Sequence, residues 1–71
     1  MIKYHIVNHI RELRFQHGEM TQQELADKVG VTRQTLLAIE KAKYPPTLEL
    51  AFKIAQVFAV SIDKVFEYTK T

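Results

Sequence analysis

Apolar residues recur at helical spacing in several stretches of the chain, each bracketed by residues suited to start or stop a helix. Leu25, Ala26 and Val29 share one face of a segment that opens with Thr21 and Glu24, the spacing of a capping box. The segment closes at Gly30, the residue type that takes positive φ at a helix end. Thr32 is a good N-cap for a following segment whose buried side is Leu36 and Ile39, and Val31 is an apolar plug in the corner between them. The pattern therefore predicts, over residues 21–41, two short amphipathic helices joined by a turn of three to four residues. Ala26 falls where two steeply crossed helices approach most closely and a small side chain is needed.

On either side the signals are plainer. Asn8 caps a first helix running to about His17, with Ile10 and Leu13 inward and Gly18 ending it. The Tyr44-Pro45-Pro46 step forbids helix, and Thr47 then opens a fourth helix with the stripe Leu50, Ala51, Ile54, Ala55 and Phe58. Ser61 caps a short fifth helix. Met1 to Val7 and Phe66 to Thr69 are β-branched or aromatic and alternate in character, so a two-stranded ribbon of the termini is proposed. Fraying of both ends is the competing reading.

The residues left outside on the helix that follows Thr32 are Arg33 and Gln34, then Leu37 and Ala38 one turn on. Arginine bonds two guanine acceptors at once, glutamine does the same on an adenine edge, and an alanine methyl meets a thymine methyl, so this face offers direct readout of bases. Gln22, at the exposed start of the preceding helix, and Lys41, Lys43 and Tyr44 suit phosphate oxygens, which fix register without reading sequence. Leu37 has three readings: a thymine methyl, the core, or another protein.

Through TQQELADKVGVTRQTLLAIEK and PPTLELAFKIAQVFAVSIDKVFEY the chain resembles the Cro/cI-type, lambda-repressor-like helix-turn-helix regulators, over nearly everything from Asn8 to Tyr68. The resemblance implies an all-α, five-helix DNA-binding domain in which Gln22, Thr32, Arg33, Gln34 and Ala38 lie on double-stranded DNA and residues near Lys43 and Tyr44 touch its backbone. It also implies an ion pair between Arg14 and Glu40, which makes Glu40 structural although it sits near the DNA face. Similarity to very short stand-alone repressors of the cytolysin-repressor type implies that paired termini accompany dimer formation. The chain departs from the family pattern at Ala42 and Ala59, where many members have glycine; positive φ at either costs about 1 kcal/mol. The loop from His17 to Met20 is one residue longer than is common.

Composition narrows the remaining possibilities. Seventy-one residues fit one domain spanning 1–71, with no room for an appended sensor or catalytic module. A chain of this size buries only about 60% of its unfolded surface, so association would add useful stability. The formal charge is only +2, and Thr21 to Tyr44 holds four basic against three acidic residues. So weak a field argues for geometric, sequence-dependent binding rather than a polybasic grip. The absence of cysteine removes disulfides and thiolate zinc sites, and no apolar run suits a leader or a membrane span, so a cytoplasmic protein is expected. His5, His9 and His17 lack a convincing carboxylate partner nearby in sequence and are read as surface or capping residues, with no metal assigned. No catalytic set has a recognisable spacing, and no cofactor is expected.

The expected function is a homodimeric repressor reading an inverted-repeat operator. The alternative is an antitoxin or adaptor whose main partner is another protein, with Leu37 as its contact.

Overall fold

The computed structural model describes residues 3–70, with the element order β1 (Tyr4–Asn8), α1 (Ile10–Gln16), α2 (Gln22–Val29), α3 (Arg33–Glu40), α4 (Leu48–Val57), α5 (Ile62–Val65) and β2 (Phe66–Lys70). The helices start where the side chains allow. Thr21 forms a reciprocal capping box with Glu24, and the hydroxyls of Thr32 and Thr47 accept from the backbone N–H of Thr35 and Leu50. Each of these caps satisfies an N–H that has no partner within its own helix.

Helix ends follow backbone conformation. Gly30 takes φ 77° and closes α2 on the carbonyl of Ala26. Ala42 and Ala59 adopt the same left-handed geometry, at φ 59° and 55°, and Glu19 does so at 54°. The two alanines thus carry the strain that a glycine would avoid. In the loop after α1, Gly18 and Glu19 are both left-handed, and Met20 N–H returns to the carbonyl of Arg14.

The core gathers the predicted stripes, Ile10 and Leu13 from α1, Leu25, Ala26 and Val29 from α2, Leu36 and Ile39 from α3, and Leu50, Ile54 and Ala55 from α4 with Phe58 at its C-cap, and adds Val65 from α5. Each large member contributes about 1.5–3 kcal/mol relative to exposure. Ala26 is fully buried, and Val31 packs against the same cluster from the turn.

The terminal ribbon forms. Strands β1 and β2 pair antiparallel, Tyr4 opposite Lys70 through Asn8 opposite Phe66; Met1 and Ile2, also expected in the first strand, lie outside the described residues. Tyr4 and Tyr68 stack diagonally across it, 5.1 Å between centroids and 16° from parallel.

Two local expectations need correction. Asn8 ends β1 and His9 holds the N-cap position of α1, although the Asn8 side-chain oxygen still accepts from Ile10 N–H at 3.3 Å. The strand reaches one residue further than its sequence signals because Asn8 pairs with Phe66 at the base of the ribbon. Ser61 occupies the N-cap position of α5 but its side chain makes no capping bond. Its hydroxyl serves the Asp63 carboxylate, which that contact and the Asp63 backbone N–H hold below its ordinary range.

Candidate nucleic-acid interface

Glu40 is the centre from which this surface is built. Its carboxylate receives Arg14 Nε at 2.9 Å and Arg14 Nη2 at 3.1 Å, a two-point clasp between the end of α3 and α1. Gln22 Nε2 donates to the same carboxylate at 3.4 Å, and Arg14 Nη1 donates to the carbonyl of Met20 at 2.8 Å. Both charged side chains are more than nine-tenths buried. One acid thereby joins α1, α2 and α3, and its charge is cancelled locally instead of projecting from the outer face of α3.

That outer face divides into two rows. Arg33, Leu37 and Lys41, spaced four residues apart on α3 and its C-cap, line a shallow cleft with Gln22 of α2 and with Arg11 and Phe15 of α1. Thr32, Gln34, Ala38 and Tyr44 line a second depression on the other side. The expected contact residues other than Lys43 thus fall on one of these two rows. Lys43 is exposed beside them, its backbone N–H bonded to the carbonyl of Ala38, which follows from the left-handed turn at Ala42. Arg33, Lys41 and Lys43 have no ion-pair partner among the described residues, so their charge is directed outward.

Leu37 is half-buried in the first cleft and stands outside the buried core cluster. Gln22 is also half-buried, and its bond to Glu40 leaves the amide anchored with one edge open to the cleft. Thr32 spends its hydroxyl on the α3 cap and on Thr35.

Two residues of this surface went unassigned in the sequence. Phe15 is half-exposed in the cleft, with the guanidinium groups of Arg11 and Arg14 5.7 and 5.8 Å from its ring centroid. The four-residue spacing of Arg11 and Phe15 was the available signal, since it puts both on one face of α1.

The histidines scatter. His5 lies in β1, His9 bridges Glu12 and Glu67, and His17 donates to the Leu13 carbonyl and tilts against Phe58. Among the described residues no group of three possible metal ligands comes together, and no helix is long and apolar enough to cross a membrane.

A convex helix face of two rows, guanidinium and amide donors on its first turn and uncompensated lysines at its end, has the shape and chemistry that a DNA major groove admits. The sequence comparisons agree. The Helix-turn-helix family model (HTH_3) matches residues 10–65. The chain is 52% identical over 61 residues to an uncharacterized HTH-type transcriptional regulator, MJ0272, of Methanocaldococcus jannaschii, covering 86% of this chain and 91% of that one. It is 48% identical over 59 residues to the uncharacterized HTH-type transcriptional regulator YgzD of Bacillus subtilis, covering 83% and 88%. A more distant relative, 36% identical over 62 residues, is the cryptic phage CTXphi transcriptional repressor RstR of Vibrio cholerae; the match takes in 87% of this chain and 55% of that protein. The chain belongs to the Cro/cI-type helix-turn-helix family of DNA-binding transcriptional regulators.

Proposed function

We propose that this protein is a cytoplasmic homodimeric repressor that reads an inverted-repeat operator with α3. The observation that carries this reading is the two-row outer face of α3, presented on a frame made rigid by the Glu40 clasp. Arg33 and Gln34 read base edges, and Ala38 and Leu37 approach thymine methyls. Gln22, Lys41, Lys43 and Tyr44 hold phosphates, and Thr32 lies against the DNA at the start of α3. Support for a second copy comes from the ribbon, where Tyr4, Ile6 and Tyr68 share one face and are all about half-exposed or more. A twofold assembly sets two α3 helices about one turn of DNA apart, roughly 34 Å. An occupied operator beside a promoter then excludes polymerase.

The adaptor reading keeps one specific support, the apolar pair Leu37 and Phe15 in a single cleft. Selection of duplexes from a random library, with wild type and variants in parallel, separates the two. Arg33→Ala is expected to lose about 1–3 kcal/mol and to relax discrimination at one base, while Lys43→Ala weakens all sequences alike and lowers the salt slope by about one. Absence of any enriched sequence for the wild type would favour the adaptor.

A further inference from the structure

The ribbon and α3 are separated in sequence by more than twenty residues on either side, yet one side chain joins them. Asn8 Nδ2 donates to the carbonyls of Ile39 and Glu40, each at 3.1 Å. These belong to the last turn of α3, where the dipole end favours a donor; the Ile39 carbonyl also accepts from Ala42 N–H at 3.0 Å. The same amide accepts from Ile10 N–H through its oxygen. Asn8 is therefore strand end, helix start and remote C-cap at once.

Beyond Asn8 the ribbon and the chain that leaves α3 stand apart. An apolar cleft of about 280 Å³ lies there, lined among others by Ile6, Ala42, Pro46 and Phe66, with Asn8 and Ile39 also on its wall. Among the described residues, the two Asn8 bonds are the side-chain hydrogen bonds that cross from ribbon to α3. Exposure falls along β1 from Tyr4 to Asn8, so the apolar tip faces outward while the base is seated on the helices.

We infer that Asn8 is a positioning residue for DNA reading: it carries the geometry of the copy-to-copy contact at the ribbon to α3 and so fixes the half-site spacing the dimer accepts. The inference rests on the dimeric reading above. A dimer gains from two recognition helices only when both are held at one separation, because a loose joint spends binding energy on ordering the second helix. Two donated bonds at the end of α3 oppose that looseness.

The test compares wild type, Asn8→Ala and Asn8→Asp on three duplexes: the selected inverted repeat, the same repeat with one base pair inserted at its centre, and a single half-site. Asn8→Asp keeps an acceptor for Ile10 N–H but has no N–H to donate, so a defect shared by both variants belongs to the bonds to α3. Melting of each variant without DNA monitors folding. The expected result is half-site affinity within about twofold of wild type and about tenfold weaker binding to the intact repeat, the scale of two net hydrogen bonds, with reduced preference for the native spacing over the inserted one. Equal losses on half-site and repeat, unchanged spacing preference, or variants that fail to fold would overturn the inference and leave Asn8 as a residue of stability alone. A wild type that does not prefer the repeat to the half-site would overturn the dimeric reading as well, which distinguishes the two failures.

Discussion

Between Thr21 and Glu40 nearly every bend of the backbone answers to a residue within a few positions of it, whereas the ribbon pairs Tyr4 with Lys70, at opposite ends of the described chain. The surfaces differ in the same way. The helix pair turns outward guanidinium, amide and ammonium groups, and the ribbon turns outward Tyr4, Ile6 and Tyr68. One region offers fixed donors to the solvent, and the other exposes aromatic and branched apolar side chains. The lesson is that this small chain separates its local and long-range work. Local signals shape the surface of α3, and a few long-range contacts decide how that surface is held.

The sharpest way to break this division is Glu40→Ala. It lies in the locally specified region yet is held by Arg14, 26 residues away. Removing the carboxylate leaves the Arg14 guanidinium buried with only the Met20 carbonyl as partner. A loss of about 3–5 kcal/mol is expected, read from the shift of a urea midpoint, and it is a large share of the stability of so small a protein. Replacing both partners, as Arg14→Met with Glu40→Leu, should restore most of that loss. A single-variant loss below about 1 kcal/mol would mean that water reaches the guanidinium and the clasp is not a buried pair.

What was legible in the sequence follows the same line. The caps at Thr21, Thr32 and Thr47 and the left-handed Gly30 each depend on bonds of three or four residues' reach, and sequence spacing reports those directly. The stripes of α2, α3 and α4 became the core for the same reason, since burial follows helical period. Asn8 shows the limit. Its local role, a bond to Ile10 N–H, was visible, while its bonds to Ile39 and Glu40 depend on where α3 ends in space. Ser61 holds the N-cap position its spacing indicates, but without a side-chain capping bond. The cleft that joins Phe15 and Arg11 of α1 to Leu37 of α3 was equally invisible to a reading made one helix at a time.

A smaller effect of opposite sign sharpens the comparison at the helix ends. The turn inside the helix pair is closed by Gly30, while the ends of α3 and α4 are followed by left-handed alanines. Ala42→Gly and Ala59→Gly should each stabilise by about 1 kcal/mol, because glycine relieves the Cβ strain there. For a domain of this length that corresponds to a melting temperature roughly 4–8 °C higher. The two alanines follow different helices, and the double variant tests whether their gains add. A lower melting temperature at either would show that the alanine's restriction of the unfolded chain outweighs the relief.

The smallest expected effect lies where the ribbon meets the helices. The Glu67 carboxylate, bonded to the His9 ring at 3.1 Å, raises the imidazole above its ordinary 6.5, aided by Glu12 and opposed by partial burial. A raised folded value means that the stabilisation is fully present below the unfolded pKa and fades as pH rises through the folded one. Because the pair is open to solvent, the change between about pH 5.5 and pH 8 should stay below about 1 kcal/mol and shrink in high salt. Glu67→Gln should lower the His9 titration midpoint seen by NMR and remove the Glu67 share of this pH dependence. An unchanged midpoint would leave the joint to neutral contacts: the 2.8 Å bond from His9 N–H to the Val65 carbonyl and the amide of Asn8. The ribbon would then be fixed to the helices by hydrogen bonds that do not titrate.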